Sequence, residues 1–148
     1  MWREAELMHG RVGMMAALGF LVQESKFHPF MPQVPDVPAI FQLSKITPEY
    51  AALLVSFIGF TEIARAKRGW VRPKMDTEST RAMTVRTLKS TYQPGDLGFD
   101  PLNLMPKDPK AREAMQAKEL NNGRLGMLAA AGAIGQELAT GQGLFAAA

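Results

Sequence analysis

The sequence predicts an all-α membrane protein with three transmembrane helices, the first and third crossed and related by a pseudo-two-fold axis. Three observations lead there: a long internal repeat, cap-and-stop punctuation around apolar stretches, and basic residues gathered on one side of the expected spans. The segment Glu6-Leu-Met-His-Gly-Arg-Val-Gly-Met14 returns 113 residues later as Glu119-Leu-Asn-Asn-Gly-Arg-Leu-Gly-Met127, and eleven of the nineteen positions from Glu6 to Glu24 are identical. Ala16, Ala17, Gly19, Gln23 and Glu24 come back as Ala129, Ala130, Gly132, Gln136 and Glu137.

Helix one is expected from about residue 3 to 25, around the apolar stretch Val12 to Val22. Pro29, Pro32, Pro35 and Pro38 follow, which makes residues 26 to 46 an extended connection. Thr47 and Pro48 form an N-cap and first-turn pair that opens helix two, over about 48 to 67, with Gly69 suited to ending it. Residues 71 to 107 are polar, basic and turn-rich. Asp108 and Pro109 repeat the capping signature and open helix three, about 109 to 140, which Gly141 and Gly143 stop. No segment shows sustained strand alternation. A length of 148 residues fits a single domain over 1–148.

Composition narrows the chemistry. With no cysteine, disulfides, thiolate metal sites and cysteine nucleophiles are excluded. No Ser-His-Asp set, P-loop or dinucleotide fingerprint appears, so the chain is not expected to be an enzyme. Twelve of the seventeen Lys and Arg residues lie between Arg65 and Lys118. That stretch lacks interleaved aromatics and any nucleic-acid motif, and no nucleic-acid partner is expected. The first repeat begins six residues in, so the chain is expected to follow an N-terminal piece that has been removed or left out.

Hydropathy and charge placement disagree about a membrane. The purely apolar core of helix one is eleven residues, short of the ~20 of a bilayer span, which alone favours a soluble helical protein. The connection after helix one, however, carries only Lys26 and Lys45, whereas eight basic residues lie between Arg65 and Lys89. If the helices span, this asymmetry puts the second loop and the starts of helices one and three on the cytoplasm-equivalent side. The polar residues within each span then need partners.

Helical angles say which partners. His9 lies about 60° from Glu6 around the helix, but Arg11 lies about 140° away, too far to pair with its own glutamate. The same holds for Glu119 and Arg124. Two such helices related by a two-fold can exchange: Glu6 with Arg124, and Glu119 with Arg11. An unpaired charge at mid-membrane costs about 2.5–3.5 kcal/mol even on the lenient insertion scale, so exchange is the inexpensive arrangement. Each carboxylate keeps a second oxygen. Glu6, His9, Glu119 and Asn122 thus each offer one oxygen or imidazole donor suited to a hard ion such as magnesium, including magnesium held in a tetrapyrrole ring with one axial position left. Gln23 and Gln136 follow His9 and Asn122 by fourteen residues, about 21 Å along the axis, and offer donors near the opposite end. Gly10, Gly13, Gly19, Gly123, Gly126, Gly132 and Gly135 leave small faces on which helices or flat rings can approach.

At these residues the chain resembles the chlorophyll-binding light-harvesting antenna family, whose first and third helices carry E-x-x-H-G-R and E-x-x-N-G-R. Tyr92-Gln-Pro-Gly-Asp-Leu-Gly-Phe-Asp-Pro-Leu-Asn-Leu104 is similar to the family's segment before helix three. The likeness covers residues 2 to 28 and 92 to 137, is loose over helix two, and is absent from 71 to 90. The forms Val22-Gln-Glu-Ser-Lys-Phe-His28 and Pro94-Gly-Asp-Leu-Gly-Phe-Asp100 look more like the red-lineage algal branch of fucoxanthin- or peridinin-type proteins and photosystem I-associated relatives.

The resemblance implies axial magnesium ligands at Glu6, His9, Glu119, Asn122 and Gln136. It adds Glu62, Gln23 and His28 as further candidates, His28 being either a ligand or a capping residue, and implies that Asp100, Pro101 and Leu102 line a carotenoid site. Arg11 and Arg124 are the structural ion-pair partners. The implied cofactors are chlorophyll a, chlorophyll c and carotenoids of fucoxanthin, peridinin or diadinoxanthin type. The implied partners are a photosystem core, neighbouring antenna subunits and thylakoid lipids. The implied place is the chloroplast thylakoid membrane, crossed several times with the second loop on the stromal side. The implied function is harvesting light and passing excitation to a photosystem, photosystem I foremost, or else dissipating it. Outside the family, E-x-x-H is half of a di-iron carboxylate site, though the second copy here is E-x-x-N. A plain helical interaction protein is the remaining alternative. A G-F-D-P-L-like segment is expected about nineteen residues before Glu6, beyond Met1, so one carotenoid end site is expected to be missing. The tail after Gly141 is too short for the amphipathic fourth helix of plant relatives.

Overall fold

The computed structural model describes residues 2–24, 37–71 and 88–145. Its elements are α1 (Trp2–Glu24), the short α2 (Ala39–Gln42), a 3₁₀ turn (Leu43–Lys45), α3 (Pro48–Gly69) and α4 (Pro109–Thr140). α4 shows the expected capping chemistry at both ends. Asp108 accepts the Ala111 N–H at 3.0 Å, and Gly141 adopts the left-handed conformation (φ 66°) that ends α4. Thr47 precedes Pro48 as expected, but its side chain makes no capping bond. The described residues contain no strand, only an isolated antiparallel bridge between Trp70 and Leu88. Beside it, Lys89 Nζ donates to the Lys67 and Arg68 carbonyls at 2.6 and 3.0 Å and so satisfies the exposed end of α3.

The expected extended connection is corrected in part. Its first residues, with His28 and three of the four prolines, lie outside the described set, but residues 39 to 45 are helical rather than extended. The four residues after Pro38 contain no proline, and their free N–H groups find carboxylates from far along the chain. Ala39 N–H donates to Glu24 Oε1 at 3.1 Å, and Ile40 N–H donates to Glu137 Oε2 at 2.9 Å. Glu24 and Glu137 are the last matched pair of the repeat, so both copies end on the same short helix. Glu137 is fully buried, its carboxyl group lies beside that of Glu24, and its Oε1 has no geometrically formed hydrogen bond among the described residues.

The central contact is α1 on α4, and glycine makes it. A methyl built on Gly10 would sit 2.9 Å from the Gly123 Cα, and one on Gly123 would sit 2.9 Å from the Gly10 Cα. One turn on, the positions facing Gly13 and Gly126 are the backbones of Met127 and Met14, each 2.7 Å away. Every one of these contacts maps onto its counterpart when 113 is added or subtracted, which is the pseudo-two-fold in atomic terms. A methyl built on Gly19, Gly132 or Gly135 would meet nothing within 4 Å among the described residues, so the glycines divide into a crossing set and an open set.

Little apolar surface is buried: Leu7, Ala39, Leu120 and Ala130 are the buried hydrophobic residues among those described. Large apolar side chains face outward instead, including Met15, Leu18, Leu53, Phe57, Phe60 and Leu128, the last two each 71% exposed. α3 shows no extended packing on α1 or α4. By composition, no helix among the described residues is long and apolar enough to cross a membrane. Length is not the obstacle, since the 23 residues of α1 span about 34 Å. The charges of the repeat interrupt the apolar run.

Candidate functional site

At the crossing, Arg124 donates from Nε to Glu6 Oε1 at 2.8 Å, and its Nη2 lies 2.7 Å from the same oxygen. Arg11 donates from Nε to Glu119 Oε1 at 2.8 Å. The pairs are exchanged between helices, as the angular argument requires. In both, the arginine bonds a single carboxylate oxygen, and Oε2 has no hydrogen-bond partner among the described residues.

The copies are unequal. Arg11 Nη2 also donates to the Gly95 carbonyl at 2.7 Å, and its side chain is 26% exposed against 54% for Arg124. The segment before α4 lies over Arg11. Nothing in the described structure does the same for Arg124.

His9 is exposed, and its Nδ1 lies 2.8 Å from the Ala5 carbonyl. A carbonyl only accepts, so Nδ1 carries the proton and the Nε2 lone pair is free, the arrangement that orients a ligating imidazole. Asn122 and Gln136 are exposed and Gln23 is half-buried, and none of the three side-chain amides has a hydrogen-bond partner among the described residues. Glu62 repeats the glutamate–arginine pattern within α3: its Oε2 takes Arg65 Nη2 at 2.6 Å and Nε at 3.0 Å, again leaving Oε1. His28 lies outside the described residues.

Residues 93 to 105 form a compact turn that closes a recess of about 560 Å³ against α1 and α4, lined among others by Leu7, Arg11, Phe99, Asp100 and Glu119. Of the three expected lining residues only Asp100 faces it. Pro101 and Leu102 lie just beyond, both exposed. Asp100 accepts the Met105 and Leu104 N–H groups, each at 2.9 Å. These backbone bonds, Met105 first and Leu104 next, hold its carboxyl below the usual carboxylate range. A depressed folded value means that the turn gains stability above the ordinary value of about 3.9 and loses it as pH falls through the folded value. The Met105 amide will therefore be protected from hydrogen exchange at neutral pH and lose that protection on acidification below about pH 3.9. Asp100→Asn will remove the pH dependence; an unchanged acid profile in that variant would refute the assignment.

Sequence reasoning missed the most connected group of all. Glu4 is buried, its side chain 3% exposed. Its carboxylate accepts Gly95 N–H at 2.7 Å, Arg65 Nη1 at 3.2 Å, and the Tyr92 hydroxyl at 3.1 and 3.2 Å. Burial, and then the Glu4 charge, push the Tyr92 phenol up, so it stays a donor at neutral pH. One signal existed: the repeat equivalent of Glu4 is Ala117, so a charge stands where the other copy has a methyl group.

Among the described residues no three His, Asp or Glu side chains converge on a point that could hold a metal ion, as a di-iron centre demands. The structure presents instead single, separated donors on helices that carry many exposed apolar side chains. Isolated donors of this kind suit metals whose other positions a ring already fills.

The chain belongs to the chlorophyll a-b binding protein family, whose profile matches residues 1–138. It is 46% identical over 139 residues to a fucoxanthin-chlorophyll a-c binding protein of Isochrysis galbana, covering 94% of this chain and 64% of that one. It is 44% identical over 142 residues to light-harvesting complex stress-related protein 1 of Chlamydomonas reinhardtii, covering 93% of this chain and 53% of the relative. A chlorophyll a-b binding protein of Solanum lycopersicum is 29% identical over 144 residues, covering 95% and 53% respectively. The fucoxanthin relative thus stands well ahead of the tomato protein, in keeping with the algal character of the segments around Gln23 and Gly98. The chain spans 53% to 64% of the length of these three relatives.

Proposed function

We propose that the protein is a light-harvesting antenna subunit, a single pigment-binding domain set in the thylakoid membrane of a chloroplast, holding chlorophyll a, chlorophyll c and carotenoids. The observation that carries this reading is the pair of exchanged ion bridges: each neutralises a glutamate yet leaves one of its oxygens free beside an apolar surface. Bound chlorophylls and carotenoids would supply light absorption, excitation transfer and triplet quenching. The protein's own part is orientation. Glu6 and Glu119 offer Oε2, His9 offers Nε2 with its ring fixed by Ala5, and Asn122, Gln136 and Gln23 offer unpartnered amides; Glu62 offers Oε1, and His28 is a further candidate.

Gly19 and Gly132, the open symmetric pair, give flat faces to a ring. Asp100, Pro101 and Leu102 hold one carotenoid end. No covalent chemistry is involved. The three long helices span the bilayer with the basic second loop on the stromal side, and the outward apolar side chains meet lipid, pigment, neighbouring antenna subunits and a photosystem core, photosystem I foremost. Composition alone would not insert these helices, but exchanged pairing lowers the cost of their charges.

His9→Leu tests the ligand set. The purified variant is expected to lose one chlorophyll and its absorption band while α1 stays folded; unchanged pigment stoichiometry would sink the assignment. Similarity to the stress-related proteins favours a second reading, dissipation instead of transfer. A short fluorescence lifetime in the isolated complex would select it, and a long one would select harvesting.

A further inference from the structure

α3 lacks extended packing on the crossed pair, yet it carries Glu62, while Glu119 sits on α4. Both connect to the same buried group. From Glu4, one arm runs through Arg65 Nη1 at 3.2 Å, and the same guanidinium turns its Nε and Nη2 edge to Glu62 Oε2. The other arm runs through the Gly95 N–H at 2.7 Å, then from the Gly95 carbonyl to Arg11 Nη2 at 2.7 Å, and from Arg11 Nε to Glu119 Oε1 at 2.8 Å. We infer that Glu4 is a positioning residue that sets two pigment-ligating carboxylates at once, Glu62 on α3 and Glu119 on α4. This rests on the reading that those two carboxylates ligate pigment.

The physical case lies in which atoms are left over. Glu4 engages the outer nitrogen of Arg65, so the guanidinium meets Glu62 along its Nε edge and at one oxygen only. Released from Glu4, that guanidinium is free to rotate and take both Glu62 oxygens in a fork, masking Oε1. On the other arm, Gly95 must present its N–H to Glu4 and its carbonyl to Arg11 together, which it does at φ 84°, where a side chain is strained and a Cβ would lie 2.6 Å from Leu7 Cδ1. Without Glu4 the turn loses its anchor, and Arg11 loses its second contact. A buried carboxylate with several donors is also hard to replace, since each donor it leaves behind is desolvated.

The test uses four variants in the pigment-loaded complex, with Glu62→Ala and Glu119→Ala as references for the bands of the two sites. Glu4→Ala is expected to lose both bands and keep those assigned to His9, Asn122 and Gln136. Arg65→Gln leaves Glu62 without its counter-charge and should lose the Glu62 band alone, and Gly95→Ala the Glu119 band alone. Glu4→Gln keeps the volume and separates the arms: its oxygen can still accept from Arg65 and Tyr92, but its amino group would face the Gly95 N–H, donor against donor. It should therefore keep the Glu62 band, lose the Glu119 band and speed hydrogen exchange at the Gly95 amide.

Retention of both bands in Glu4→Ala, or loss of both in Glu4→Gln with unchanged exchange at Gly95, overturns the proposal. So does uniform loss of all pigments in both Glu4 variants, the mark of a purely structural residue. If the two reference variants themselves lose no pigment, the ligand reading falls first, and exchange at Gly95 still reports whether the Glu4–Gly95 link exists.

Discussion

Gly123→Leu will part α1 from α4 and abolish assembly. At this position the obstacle is backbone rather than a side chain that could turn aside, because even a methyl would lie 2.9 Å from the Gly10 Cα. Overpacking a core where side chains yield costs about 1–3 kcal/mol. Here the helices must separate by more than a methyl's width, which also lengthens both exchanged ion pairs. The loss therefore becomes comparable with the whole stability of a typical domain, about 5–15 kcal/mol. Gly132→Ala is the control: an added methyl there meets nothing within 4 Å among the described residues, and alanine gains up to about 1 kcal/mol of helix propensity over glycine. Circular-dichroism melting and protease resistance of the refolded complex read both. Wild-type melting of Gly123→Leu would mean that the helices do not meet backbone to backbone.

The second large effect comes from Arg11→Leu, which is expected to cost more than Arg124→Leu. Both remove the partner of a glutamate, but Arg11 is the less exposed and also holds the Gly95 carbonyl. Its loss therefore releases the turn as well as Glu119. The absolute size depends on the surroundings. In water, pairs this exposed are worth at most about 1 kcal/mol. In a bilayer the orphaned carboxylate adds a penalty of about 2.5–3.5 kcal/mol at the centre, and less towards the ends of the span. Comparing refolding yield and pigment content of the two variants in lipid measures the difference. Equal losses would contradict the asymmetric role of the segment before α4, and mild losses in lipid would contradict the placement of these charges within the membrane.

What could be read from the chain beforehand, and what could not, follows the reach of each interaction. Asp108, Pro109 and Gly141 act within a turn, so they located α4 to the residue. The exchange of Glu6 and Glu119 between arginines was also legible: helical geometry excluded the local partner, and the repeat supplied the other one. α2 escaped because its stability is not its own. Of the four residues after a proline-rich stretch, the first two give their N–H groups to Glu24 and Glu137, and Glu137 lies 97 residues from Ile40. Glu4 escaped for the same reason, its partners being 61, 88 and 91 residues away. The open glycines were grouped with the crossing ones because sequence marks smallness but not what stands opposite. Asp100 was noted for its place in the G-F-D-P-L segment, whereas its grip on Leu104 and Met105 needed the turn to be seen.

Two rods that touch at one point can still open and close like scissors, and backbone contact between Gly10 and Gly123 alone would leave that hinge free. The short helix gripped by Glu24 and Glu137 acts as a tie across the blades at their far ends, fastened to one by each carboxylate. A tied pair has one opening angle. Anything mounted along the two blades then keeps its separation and tilt relative to the rest, which is what a scaffold must guarantee when its cargo communicates through space rather than by contact.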